Sequence, residues 1–321
     1  SVSNDLYESR QAKPMLLTEG APFNSSDFIY ELKLDGIRAL AYIEPGKVDI
    51  RNKRNKWLNP IYPELNTLGK QVKTRCIIDG ELLIMKDGKP DFYTLQRRSL
   101  MTDPFKIELE SRRHPVIFIA YDLLYVDGKE CVYLPLMERK ALLNKTITEG
   151  LGLVQAQFIE EHGIEFYEQV KAQQLEGVVA KRKDSIYQQG VRSKYWIKFK
   201  YLKDADFIIC GITRSNSGGI KSVRLGLYEN NRLIDYGFVA MGISKADEKI
   251  ILYHLHDHAL SFPPFDEQRK KEDAEWMEPK LVCTVKFMAA GEHGLRQPVF
   301  KGLRQDKDLA SCTTDQLIVE Y

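Results

Sequence analysis

Glu31-Leu32-Lys33-Leu34-Asp35-Gly36-Ile37-Arg38 brings a lysine, a carboxylate, a glycine and an arginine into one short stretch. Its surroundings read as strands: Phe28 to Lys33, a turn at Asp35-Gly36, Ile37 to Ile43, a turn at Pro45-Gly46, then Val48 to Arg51. Lys33 therefore stands at the end of a strand beside a tight turn, a rigid placement for a reactive side chain. Taken alone, the stretch reads more readily as a surface hairpin with a salt-bridging lysine. Its meaning depends on what the rest of the chain supplies.

Working outward, residues 1 to 13 read as a frayed polar tail ahead of Pro14. Tyr62 to Lys70 reads as a short helix, Arg75 to Met85 as a strand, Thr94 to Leu100 as a helix, and Val116 to Tyr125 as a buried strand ending at Asp127-Gly128. Met137 to Asn144 and Gly163 to Leu175 look helical; Gly177 to Arg182 and Tyr195 to Tyr201 look like strands. Beyond Lys203 the texture changes to short strands (Asp206 to Thr213, Ser222 to Tyr228, Leu233 to Met241), a helix (Lys245 to His258), then Leu281 to Met288 and a final segment. Five short strands with one interposed helix suit a small Greek-key barrel. The expected organisation is α+β: residues 1–203 with antiparallel sheets flanked by helices, and residues 204–321 as an OB-fold β-barrel.

The 321 residues exceed one average domain, and 43% hydrophobic with 29% charged residues describes an ordinary globular composition. No apolar run is long enough to cross a bilayer and the N-terminus carries no secretory apolar core, so an intracellular, cytoplasmic or nucleoid-associated chain without a membrane partner is expected. Five scattered cysteines, with no CxxC pair, argue against a disulfide framework or a cysteine zinc site. His254, His256 and His258 read as part of an ordinary helix, because no HExxH accompanies them. The formal net charge is only +2, so nucleic acid would need local basic patches. Arg51 to Lys56 is one, and Ile186 to Lys203, with Arg192, Lys194, Lys198, Lys200 and no acidic residue, is the other.

Lysine with a reference pKa near ~10.4 is almost wholly protonated at neutral pH, so a nucleophilic Lys33 needs cations, desolvation or a metal nearby. Arg38, Lys198 and Lys200 supply candidate cations. Ile197-Lys198-Phe199-Lys200 alternates, projecting both lysines from one strand face. Asp79-Gly80-Glu81 and Glu176-Gly177-Val178-Val179-Ala180-Lys181 each place a carboxylate and a glycine at a strand. Glu81 and Glu176 are hard oxygen donors suited to Mg²⁺, with Mn²⁺ as a substitute. There is no GxxxxGK[ST] loop, so a nucleotide would be held by this cleft and not by a P-loop.

At this point the chain resembles the ATP-dependent DNA ligases of the covalent nucleotidyltransferase superfamily, over nearly its whole length after the tail. Lys33-Leu-Asp-Gly-Ile-Arg38 resembles the adenylation motif, Asp79-Gly-Glu81 the third motif, and Tyr121-Asp-Leu-Leu-Tyr125 the segment with the adenine-stacking aromatic. Glu176 to Lys181 and Lys198-Phe-Lys200 resemble the fourth and fifth, and Arg304-Gln-Asp-Lys307 the RxDK motif of the C-terminal OB domain. The resemblance implies Lys33 as AMP acceptor, Arg38 and Glu81 at the ribose, Tyr121 on adenine and Glu31 in the adenine pocket. It further implies Glu176 at the metal, Lys198 and Lys200 at the α-phosphate, and Arg304 and Lys307 orienting pyrophosphate. Arg51, in the stretch with Lys53 and Arg54, and Arg192 resemble arginines that contact the 5′-phosphate of a nick.

Gly294 to Arg304 is most similar to the ligase module of bacterial end-joining enzymes. The function so implied is the sealing of 5′-phosphate/3′-hydroxyl nicks in duplex DNA by a monomer using ATP, with a Ku-like end-binding partner consistent with it. Within these residues there is no large DNA-encircling domain, so the two domains would clamp the duplex, with Ser215 to Ser222 or Pro263 to Lys280 as candidate contact loops or as plain solvated ones. Two alternatives stand beside this. One is an RNA ligase or mRNA-capping guanylyltransferase using the same lysine chemistry, disfavoured by Tyr121 to Gly128 and by the Arg304 to Lys307 ending. The other is a catalytically silent nucleic-acid-binding OB protein, disfavoured by the intact lysines and carboxylates.

Overall fold

The computed structural model describes residues 4–173, 175–200, 203–265, 273–288, 290–291, 294–295 and 297–317. The chain divides into two compact units, Ser1–Lys200 and Tyr201–Tyr321.

In the first unit two sheets lie between helices. One has the order Leu16–Glu19, Arg192–Lys200, Gly177–Arg182, Ser25–Lys33, Phe158–Glu161. The other has the order Leu153–Gln155, Ile117–Val126, Cys76–Leu83, Ile37–Glu44, Lys47–Asn52, with Lys129–Glu130 pairing off Ile117–Val126. The expected antiparallel character holds for most pairs, but Leu16–Glu19 runs parallel to Arg192–Lys200, and Leu153–Gln155 parallel to Ile117–Val126. The sheets are therefore mixed.

Three apolar layers hold this unit together. Ile29 and Trp196 of the first sheet meet Leu40, Tyr42, Ile77 and Leu124 of the second. The outer face of the second sheet packs on Leu65, Leu68 and Leu143, from the 3-10 helix Pro63–Lys70 and the helix Leu136–Thr146. Tyr30, Val178 and Phe199 on the outer face of the first sheet are covered by Phe166 and Val170 of the helix Gly163–Ala172. Every residue of Cys76–Leu83 is buried, as expected for a central strand with both faces covered.

Ser25–Lys33 and Ile37–Glu44 are not two arms of one hairpin: they belong to different sheets, and Leu34 to Gly36 carries the chain between them. Gly36 allows this crossing, because a Cβ there would lie 2.1 Å from the Leu82 carbonyl oxygen. Lys33 pairs with Gly177 across one sheet, and Arg38 pairs with Glu81 across the other.

The N-terminal segment is not a frayed tail. Asp5 caps a short helix, Leu6–Ser9, and Tyr7 is fully buried against Tyr42 and Tyr125, with Arg10 and Arg75 over its ring. The helix Pro104–Arg113 escaped the reading of the sequence, although Asp103-Pro104 carries its start signal: the Asp103 side chain accepts from the Phe105 and Lys106 amides, and proline occupies the first turn.

The second unit runs Val299–Arg304, Val282–Phe287, Lys203–Arg214, Ile220–Glu229, Arg232–Val239, with Glu275–Met277 and Ala259–Leu260 added beside Lys203–Arg214. The sheet thus has seven strands where five were expected. The ends of the five-strand path meet at one parallel bridge, Met241 with Val299, where the Phe300 amide donates to the Met241 carbonyl at 2.7 Å. Among the described residues the two ends thus meet through one bridge and not through a ladder, short of a closed barrel. Ser244 caps the helix Lys245–His258 by accepting from the Asp247 amide, and His254 stacks on His258 within it. Ser215 to Ser222 is a turn that enters a strand at Ile220, and Pro263 to Lys280 lies partly outside the described residues. No described helix is long and apolar enough to cross a membrane.

Tyr7 tests the role of the N-terminal segment. Tyr7→Ala is expected to destabilise the first unit by about 3–5 kcal/mol in chemical denaturation, because it empties a filled aromatic site. Tyr7→Phe is expected to be neutral or stabilising, since the buried hydroxyl finds no hydrogen-bond partner among the described residues.

Candidate active site

Lys33 lines a pocket with Leu17, Glu31, Arg38, Lys53, Glu81, Tyr121, Lys181 and Trp196. Its position follows from register. Because Lys33 faces Gly177 across the sheet, the preceding residue, Glu176, reaches it: Lys33 Nζ donates to Glu176 Oε1 at 2.9 Å. Gly177 is held close to its other neighbour, where a Cβ would lie 2.2 Å from the Phe199 carbonyl oxygen. Only glycine fits between a carboxylate and a strand at this point.

Arg38 was expected as a cation near the amine. Instead its Nε donates to Asp79 Oδ1 at 2.6 Å and its Nη2 to Asp79 Oδ2 at 2.7 Å and to the Met15 carbonyl at 2.9 Å. Asp79 is fully buried and also accepts from the Tyr187 hydroxyl at 2.7 Å. The arginine is thus locked in place, and its charge is locally matched.

Glu81 has no such cationic partner within bonding distance among the described residues; it accepts from the Tyr121 hydroxyl at 3.2 Å. Burial pushes its carboxyl up to about 7, with Arg38 and Lys33 opposing and Glu176 adding to the shift. Among the described residues no group of three histidine, cysteine, aspartate or glutamate side chains could hold a metal ion. Two carboxylates are nevertheless what Mg²⁺ takes from a protein when phosphate oxygens and water complete its shell, so Glu81 and Glu176 fit that ion.

At the other end of the pocket Glu31 is buried with two lysines. Lys140 Nζ donates to its Oε2, and Lys181 Nζ lies 2.6 Å from its Oε1. Burial opposes the charge of Glu31, but the two lysines outweigh it and hold its carboxyl below the usual range. The cluster carries two cations for one anion, and burial sets the direction for Lys181, whose pKa falls despite its contact with Glu31. The rings of Trp196 at 4.2 Å and Tyr121 at 4.6 Å face its ammonium, a favourable cation–π environment.

The remaining cations separate into two groups. Lys198 sits among Lys200, Lys33 and Arg192; burial first, and then these charges, lower its pKa. Lys53 is exposed by surface area, yet its amine reaches toward Arg38 and Lys33, and partial desolvation followed by the Arg38 charge lowers its pKa. Arg51 turns away: its guanidinium donates to Asp49, which also holds Arg10. Arg54 is exposed, and Arg192 donates to the Leu17 carbonyl at 2.7 Å.

Lys33, Glu31, Arg38, Glu81 and Tyr121 thus line one pocket, with Glu176 bonded to its lysine. Lys53, and not Arg51, is the member of the basic stretch that enters it. Lys140, Lys181, Asp79 and Trp196 were missed as site residues. Lys181 and Asp79 lay inside recognised motifs; Lys140 carried no signal beyond a lysine on a helix. Arg304 and Lys307 belong to the second unit, where Arg304 Nε donates to Asp306 Oδ1 at 3.0 Å and Lys307 Nζ lies 3.4 Å from Asp206 Oδ2.

Residues 14–200 match the family described as ATP dependent DNA ligase domain, and residues 216–307 the one described as ATP dependent DNA ligase C terminal region. The chain is 30% identical over 318 residues to the multifunctional non-homologous end joining protein LigD of Mycolicibacterium smegmatis, covering 96% of this chain and 39% of that protein. It thus spans well under half the length of that relative. It is 26% identical to DNA ligase C of Mycobacterium tuberculosis, covering 91% of this chain and 89% of that protein. Among solved structures it resembles mycobacterial DNA ligase D complexed with ATP and MES, with a TM-score of 0.74, 27% identity and coverage of 95% of this chain and 98% of that one. A half-buried lysine at a strand end paired to a carboxylate, a locked arginine and matches to both family regions agree: the chain belongs to the ATP-dependent DNA ligases.

Proposed function

We propose that this ligase joins broken duplex DNA in end joining, through a covalent adenylate on Lys33. The observation that carries the reading is the pocket in which Lys33, bonded to Glu176, shares its walls with Glu81, Arg38, Lys53 and Tyr121. The similarity to LigD supports the biological setting.

In this reading the base enters beside Tyr121, where Glu31 and Lys181 offer an acceptor and a donor. Lys33 Nζ loses a proton, for which Glu176 Oε1 is the adjacent acceptor, and attacks the α-phosphorus of ATP. The N–P bond forms, the bond from phosphorus to the bridging oxygen breaks, and pyrophosphate leaves with that electron pair. Lys198 and Lys200 offset charge on the α-phosphate oxygens, while Arg304 and Lys307 orient the pyrophosphate. A 5′-phosphate oxygen of the broken strand then takes the adenylyl group and returns the amine. Finally the 3′-hydroxyl attacks that 5′-phosphorus, and AMP leaves. Lys53, Arg54 and Arg192 are the cations offered to the strand end, with Arg51 in support. Mg²⁺ held by Glu81 and Glu176 would neutralise phosphate charge. Nicked duplex DNA is the substrate, a Ku-like protein a fitting partner, and a monomer the working form, with residues 1–203 and 204–321 as its two domains.

Lys33→Ala is expected to abolish the covalent adduct formed with labelled ATP while sealing of an already adenylated nick survives in part. An adduct that persists in this variant overturns the assignment. Labelling by GTP alone would point instead to capping chemistry, and sealing of duplexes with DNA or RNA on each side of the nick reads out the polymer.

Glu81 generates a pH prediction. A carboxyl whose folded pKa of about 7 exceeds its ordinary 4.5 contributes stability that is fully present below about pH 4.5 and is lost as pH rises through 7. Glu81→Gln removes that loss, so its stability relative to the parent protein should rise by roughly 2–3 kcal/mol between pH 5 and pH 8 in chemical denaturation.

A further inference from the structure

Asp206, on the first strand of the second unit, is one of the few buried acidic side chains there, and nothing in the chemistry above uses it. Its carboxylate is fixed from below: Thr284 Oγ1 donates to Oδ1 at 2.6 Å. Its backbone is fixed as well, the amide donating to Gln316 Oε1 at 2.8 Å and the carbonyl accepting from Gln316 Nε2 at 3.0 Å. Two cations converge on this anchored group. Arg304 Nη1 lies 3.6 Å from Oδ1 and Lys307 Nζ 3.4 Å from Oδ2, one cation per oxygen. Thr284 Oγ1 also accepts from Arg304 Nη1 at 3.4 Å, and Asp306 holds the far side of the guanidinium.

We propose that Asp206 is a positioning residue for pyrophosphate: it sets the spacing of Arg304 and Lys307 so that the pair meets the leaving group of self-adenylation as one unit. This rests on the reading that those two cations act on pyrophosphate. Arg304 is the exposed last residue of a partly buried strand and Lys307 is exposed just beyond it, so packing alone does not fix either charged head. Loose, half-exposed ion pairs of this length contribute little to stability. What the fixed carboxylate does contribute is geometry, because two long side chains tethered to opposite oxygens of one anion lose much of the freedom they would otherwise surrender on binding phosphate.

The test uses the full chain with Asp206→Asn, which keeps the acceptor for Thr284 and removes the charge, and with Asp206→Glu, which keeps the charge. Three readouts are compared: self-adenylation with ATP, discharge of the Lys33 adenylate by added pyrophosphate, and sealing of a pre-adenylated nick. For Asp206→Asn the expectation is a 10- to 100-fold fall, on the order given by ångström-scale misplacement, in both pyrophosphate-handling reactions. The pyrophosphate concentration for half-maximal discharge should rise, sealing of the pre-adenylated nick should stay within about twofold, and Asp206→Glu should recover part of the loss. An equal loss in all three reactions marks a structural role and overturns the proposal, as does no loss in any. Arg304→Ala separates the two layers: if it leaves self-adenylation and discharge intact, the reading of the cations fails; if it impairs them while Asp206→Asn does not, only the positioning role fails.

Discussion

The register between Ser25–Lys33 and Gly177–Arg182 is the constraint on which the site depends. A slip of one residue in an antiparallel pair turns every side chain to the opposite face. Here it would move Lys33 from the pocket wall and separate it from Glu176. The register is held by burial on the outer face, where Tyr30, Val178 and Ala180 are covered, and by the close approach that admits only glycine at 177. A second register, between Ile37–Glu44 and Cys76–Leu83, sets Arg38 opposite Glu81. The three residues that cross between sheets link the two registers, so Lys33 and Arg38 are placed by different sheets but lie only a few residues of chain apart.

The pocket is built from charges that are mostly matched. Arg38 with Asp79, Lys33 with Glu176, and Lys140 and Lys181 with Glu31 are each within bonding distance, and Arg139 with Asp122 is wholly buried nearby. Such pairs are weak evidence for stability, since desolvation offsets much of the attraction. Their consequence is geometric: each fixes a side chain whose orientation apolar packing would leave free. Glu81 is the contrast. Among the described residues its one direct side-chain bond is the one it accepts from the Tyr121 hydroxyl, and burial without a bonded cation raises its pKa.

Much of the fold was legible from residue pattern. The strands Gly177–Arg182 and Ile117–Val126 and the helix Lys245–His258 lie where the residue pattern placed them. Less legible were elements whose signal lies in what they touch. Leu6–Ser9 is too short to declare itself, and it is ordered by the aromatic socket that receives Tyr7. Leu16–Glu19 is a strand because Arg192–Lys200 lies beside it. Lys140 and Arg139 look like solvated helix residues by type, yet both are buried, since a carboxylate from a distant strand waits for each.

The sequence alone determined the chemistry on offer: a lysine beside Asp-Gly, carboxylates and lysines at strand ends, and their order along the chain. These are properties of residue type and spacing, which persist whatever the strands pair with. Only the tertiary structure decided which charges meet. It gave Glu176 to Lys33, Asp79 to Arg38, and Lys53 instead of Arg51 to the pocket. The reason is that partner choice is set by sheet order and register, and these are settled by burial between strands more than 100 residues apart, such as Lys33 and Gly177.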